Sequence, residues 1–197
     1  VGRYEARRAL VVDEANDIGT TYLRAQLLAE PARTTSLELL RDYADTAVAI
    51  ADRVPFDDGF DADVAHIEQL QNQLWAAAGD AVRDDPTGTA PRLYLETLND
   101  TIDIHTERVA SLKNRVPEPV MLLQLAAAAL AAGVLALYLI VLGRSIASSL
   151  LVTMLLIVIL FVSFDLDRPH RGFITVPAAA LEQVRASMDE PPAATGP

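Results

Sequence analysis

The stretch VMLLQLAAAALAAGVLALYLIVL, residues 120–142, decides how the rest of the chain is read. It carries no charge, and Gln124 is its one strongly polar side chain. Wound as a helix, its 23 residues reach roughly 35 Å, enough to cross a hydrocarbon core of about 30 Å. A second uncharged run, IASSLLVTMLLIVILFVSF, fills residues 146–164, and its 19 residues give roughly 28 Å, which just suffices. Only Gly-Arg-Ser separates the two, so residues 119–164 read as a tight antiparallel transmembrane hairpin. A buried hairpin of a soluble protein is the competing reading, but buried helices of soluble proteins rarely run so long without a charge.

Lysine and arginine near the span ends set the orientation. The turn carries Arg144 alone, whereas Arg108, Lys113 and Arg115 precede the first span and Arg168, Arg171 and Arg185 follow the second. Both flanks are therefore expected in the cytoplasm, with the turn outside. Ala129 and Gly133 lie four apart on the first span, as do Ala132 and Ala136. That spacing lets helix backbones approach closely in lipid, although alanine is also an ordinary membrane filler.

Upstream of the hairpin, residues 1–118 hold 12 basic and 22 acidic side chains and carry nearly all of the chain's net charge of −11. Such a balance argues against nucleic acid as a partner, because its binders present a basic face. The absence of cysteine excludes disulfides and thiol chemistry. No signal peptide is visible in the charged stretch 1–28. The region reads as four helices, over about 2–28, 32–53, 62–84 and 91–116, broken by Pro31, Pro55 and the segment DDPTGTAP. Asp61 or Asp63 is expected to cap the third helix, whose apolar face is Val64, Ile67, Leu74, Ala78 and Val82. On the fourth, Leu95, Leu98, Ile102, His105, Val109, Leu112 and Val116 alternate steps of three and four, the seam of a helix packed lengthwise on another. The fold class is all-α: a helical cytoplasmic bundle, a membrane hairpin, and a cytoplasmic tail over 165–197 with a short extended stretch (GFITV) and a short helix.

A search for chemistry returns little. His66, His105 and His170 are far apart and sit in no ligand spacing, no phosphate-binding glycine loop occurs, and no nucleophile elbow is present. Neither an enzyme, a metal site nor a cofactor is expected. His105 interrupts an apolar seam and reads as satisfied by a carboxylate, such as one on the third helix; proton sensing is the alternative. Trp75 reads as a packing anchor. Asn16, Thr20 and Arg24 share one face of the first helix with Asp13 and Asp17 nearby, a polar stripe that would line a water-filled passage or simply face solvent. Gly19 sits mid-helix, where glycine costs about 1 kcal/mol against alanine unless close packing needs it. After the second span, DLDRP (165–169) ends the apolar run. Asp165 must lie at or beyond the interface, Arg168 is within pairing reach of it, and Pro169 turns the chain away. Two acids and a guanidinium there would also suit an ion-contacting mouth.

Taken together, RRALVVDEANDIGTTYLR (7–24), LW (74–75), LND (98–100), RVPEPV (115–120) and DLDRPHRGFI (165–174) resemble the bacterial bestrophin-like family of integral membrane proteins. The resemblance implies one or two further spans upstream of Val1 and about four spans in the intact protein. Its recurrent pattern falls on Arg8, Glu14, Asn16, Gly19, Tyr22 and Arg24, and in the tail on Asp165, Asp167, Arg168, Pro169 and Gly172. By analogy with bestrophins, which are pentameric anion channels, it implies a homo-oligomeric ion channel in the bacterial inner membrane. Arg8, Glu14, Asn16, Arg24, Asp165, Asp167 and Arg168 are then candidate pore or ion contacts, with Gly19, Ala129 and Gly133 packing helices. The alternative is a non-conducting membrane assembly whose helical domain docks a protein partner.

Overall fold

The computed structural model describes residues 2–53, 57–113, 118–142, 150, 154–155, 157–158 and 178–190. Among these, all regular structure is helical: α1 (Gly2–Ala25), α2 (Ala32–Asp52), α3 (Asp58–Asp84), α4 (Thr89–Lys113), α5 (Glu118–Val141) and α6 (Ala179–Ser187). The chain divides into two units, Val1–Lys113 with Thr175–Pro197, and Asn114–Ile174.

Local chemistry sets the helix ends. α1 stops three residues short of Leu28, because Leu27 N and Leu28 N donate to the carbonyls of Arg24 and Ala25 in a tightened final turn. The expected cap of α3 is corrected by one turn. Asp57 accepts from Gly59 N at 2.6 Å and starts the helix at Asp58. Asp61 and Asp63 instead pair with Lys113 (3.1 Å) and with Arg53. Glu30 serves the α1–α2 connection, accepting from Thr34 N (3.1 Å) and from the Arg33 guanidinium. The Arg33 bond and the two Thr34 bonds hold its carboxyl below its ordinary value.

In the first unit α1 packs on α4 and α2 on α3, with α1·α2 and α3·α4 closing the ring. Each helix contributes a stripe with steps of three and four: Ser36, Leu40, Tyr43, Ala47 and Ile50 on α2, and Phe60, Val64, Ile67, Leu70, Leu74, Ala78 and Ala81 on α3. The side chain of Val82, expected in that face, is half-buried at its edge. α4 departs more. Its inner line is Tyr94, Leu98, Thr101, His105, Arg108 and Leu112, while Leu95, Ile102 and Val109 flank it half-buried. The seam therefore keeps the expected Leu98, His105 and Leu112 but turns Tyr94, Thr101 and Arg108 inward in place of Leu95, Ile102 and Val109, and Val116 lies outside the described residues. Trp75 is 46% exposed, so it does not anchor the core.

α6, from the tail, also belongs to this unit and lies against α1 and α2. In the second unit α5 runs through the expected first span and is long and apolar enough to cross a membrane. None of its described side chains is buried; Leu122, Leu123, Leu130, Val134 and Leu137 are all exposed. A helix apolar on all sides has lipid or protein as its natural surroundings. The second expected span, 146–164, and the GFITV stretch lie largely outside the described residues.

Candidate functional site

On α1 the inner line is Arg7, Val11, Glu14, Ile18, Thr21 and Ala25, again in steps of four and three. It faces the line of α4 in antiparallel sense: Glu14 meets His105 and Arg108, Thr21 meets Thr101, and Arg24 meets Leu93. Two stripes with a seven-residue period thus bring their polar members opposite one another. Glu14, His105 and Arg108 form a fully buried charge cluster inside the bundle.

Glu14 is 0% exposed, and both its oxygens are engaged. Oε1 lies 2.7 Å from His105 Nδ1, and because an ionised carboxylate only accepts, Nδ1 is the donor; Oε2 accepts from Arg108 Nη1. Arg108 reaches on to the Ala47 carbonyl of α2 with Nη1 and Nη2 at 3.4 and 3.3 Å. The Tyr43 ring meets the imidazole edge-on at 5.8 Å between centroids, and Gln71 donates to its hydroxyl. Burial pushes the Glu14 carboxyl up, but the Arg108 charge and the His105 contacts outweigh it and hold it below its ordinary 4.5. Glu14 is therefore a fixed anion inside the bundle. One turn on, Thr101 donates to the Thr97 carbonyl at 2.8 Å, which leaves Thr21 as the donor in the 2.9 Å Thr21–Thr101 bond.

A buried ion triad adds less to stability than its charge suggests, because desolvation offsets most of the attraction; its distinct effect is on register. A one-heptad slip of α1 along α4 would face Glu14 with Leu98 and Thr101 and strand Arg108. The sequence signal for the triad was an acid in the phase of one stripe and His105 with Arg108 in the phase of the other. A reading of apolar positions alone passes over Arg108, Thr21 and Thr101.

The remaining site candidates are dispersed. Arg8 and Asn16 are exposed, and Thr20 hydrogen-bonds back to the Asn16 carbonyl at 2.9 Å. Arg24 Nη1 donates to the Leu93 carbonyl at 2.8 Å and ties α1 to the start of α4. His105 does find a carboxylate, but it comes from α1 rather than from the third helix. At Gly19 a Cβ would stand 2.8 Å from Val184 Cγ2 of α6, so the glycine permits close contact there. Ala129 and Gly133 lie on the exposed side of α5, and nothing lies within 4 Å of a Cβ added at Gly133. Asp165, Asp167 and Arg168 lie outside the described residues. Among the described residues no group of three or more acids and histidines could hold a metal.

Fold and site together define an all-α protein with one helix long and apolar enough to cross a membrane and a bundle keyed by buried charge. The family model for the Bestrophin-like domain matches residues 1–181, so the chain belongs to the bestrophin-like family and is a membrane protein. No curated protein and no solved structure matches it.

Proposed function

We propose that the chain forms an oligomeric ion channel of the bacterial inner membrane, with its termini in the cytoplasm and anions as the conducted species by analogy with bestrophins. The observation that carries the reading is α5, whose apolar surface is uncovered and whose small pair, Ala129 and Gly133, stands open. Lipid suits the large side chains, and a neighbouring protomer suits the small pair. In this reading Arg8 and Asn16, which are solvent-exposed in the protomer, supply polar groups to the passage, and Asp165, Asp167 and Arg168 line its mouth at the membrane border. Glu14 acts from behind, by fixing α1 through its bonds to α4. No step of bond-making chemistry is assigned to the protein.

The second reading, a non-conducting assembly that docks a protein partner, is favoured by the acidic ridge of Asp13, Asp17 and Asp100. Burial and the charges of Asp100, Asp13 and Glu14 push the Asp17 carboxyl above its ordinary value, the mark of a field that repels anions. Recording from the protein reconstituted in planar bilayers, with chloride and potassium gradients opposed, separates the two. Currents reversing near the chloride potential support the channel; reversal near the potassium potential overturns its anion selectivity; silence under every gradient overturns conduction in favour of assembly.

A further inference from the structure

We infer that α6 is a two-state clasp, helical while docked on α1 and α2 and unfolded once released, which ties the C-terminal end of the membrane-helix unit to the bundle through a contact able to open on its own. The tie follows from chain order. Residues up to Ile174 belong to the unit that carries α5, and α6 begins at Ala179 in the other unit.

The docked state is built at three levels. Leu181 and Met188 are fully buried, and Val184 packs on the bare backbone of Gly19. The end of α6 is held at one carbonyl, that of its C-cap Met188: Tyr22 Oη donates to Met188 O at 3.0 Å, and Arg41 Nη2 donates to the same oxygen at 3.2 Å and to Tyr22 Oη at 2.6 Å. The Arg41 guanidinium also lies 5.4 Å from the Tyr22 ring centroid. Farther out, Arg185 Nε donates to Asp45 Oδ1 at 2.7 Å. A cation at a helix C-terminus complements the helix dipole, so Arg41 and Tyr22 lock the end at which the orphan carbonyls point.

The same inventory shows why the clasp opens alone. α6 has 9 residues, and Ala178 at its N-terminus offers no side-chain cap. Isolated helices shorter than about 12–15 residues do not hold in water, so undocking and melting are one event. Among the described helices it touches α1 and α2, and none of its side chains bonds to the α1–α4 triad. Opening therefore costs local rather than global contacts. The uncapped end is the one nearest in sequence to the membrane-helix unit and the locked end is distal, so tension along the chain peels the helix from Ala178 toward Met188.

Hydrogen exchange on the full chain in lipid nanodiscs tests this without any need for conduction, so its outcome is independent of the channel reading. Amides of residues 181–190 should exchange at least about tenfold faster than those in the middle of α3, the signature of sub-global opening. Gly19→Ala, whose Cβ meets Val184, should accelerate 181–190 by a further factor of about ten and leave α3 unchanged. The double variant Gly19→Ala with Val184→Ala removes the clash and should restore wild-type protection. The clasp is overturned if α6 and α3 exchange in step, if Gly19→Ala leaves α6 unchanged or speeds both helices equally, or if the double variant fails to restore protection.

Discussion

At the scale of single residues, Glu14 is where the fold is most exposed to change. His105 Nδ1 and Arg108 Nη1 both donate to it, so only a side chain with two acceptors fits between them. Glu14→Gln supplies one acceptor and turns an amide NH2 against the other donor while stranding a buried guanidinium. Breaking a buried pair from one side costs about 3–5 kcal/mol, and a denaturant melt followed by far-UV circular dichroism should show that loss. Glu38→Gln, at an exposed position, should stay within about 0.5 kcal/mol. The pH dependence follows from the same geometry. Because folding lowers the Glu14 pKa, its stabilisation is complete above the ordinary 4.5 and is lost as pH falls through the lower folded value. Wild-type stability should therefore drop on acidification below that range, and Glu14→Gln should flatten this part of the profile. Asp17 has the opposite sign: its pKa is raised by burial and by Asp100, Asp13 and Glu14, so its ionised form opposes folding at neutral pH. Asp17→Asn should raise the midpoint slightly at pH 7, and added salt should shrink the gain.

At the scale of elements, the helices were legible and their rotation was only half so. Proline positions and apolar periodicity located α1 to α4 to within a few residues, because backbone breakers and the 3.6-residue period act locally. The inner line of α4 was not legible from α4 alone. Leu95, Ile102 and Val109 outrank Tyr94, Thr101 and Arg108 in apolarity, yet the latter turn inward, Thr101 and Arg108 because α1 offers each a partner. Burial of a polar group is decided by the partner helix, which a single-helix pattern does not contain. The Asp57 cap was missed for a related reason: Asp57, Asp58, Asp61 and Asp63 are equivalent by residue type, and only backbone conformation selects one. Asp57→Ala should cost about 1 kcal/mol, whereas Asp61→Ala should stay within about 0.5 kcal/mol. Thermal melts of the two variants decide between the positions.

At the scale of the whole molecule, two solvents act on one chain. The bundle unit buries its apolar stripes internally and offers water an acidic surface, while α5 turns Leu122, Leu130 and Leu137 outward. Apolar side chains exposed along a whole helix, in a protein whose other unit closes its own core, mark the surface that lipid replaces. Substitutions on α5 should therefore act on membrane residence and leave the bundle's fold alone. Leu130→Arg places a charge near the centre of the 122–139 apolar window and should cost about 2.5–3.5 kcal/mol of insertion free energy, a loss of up to a few hundredfold in the inserted fraction. A glycosylation or protease-protection assay on the nascent chain reads that fraction directly. Leu142→Arg, at the end of the span, should have a far smaller effect because a long cationic side chain there reaches the interface. If both substitutions were equally silent and the variants stayed monodisperse in buffer without detergent, α5 would be packed on protein. The family's membrane character would then have to reside outside α5.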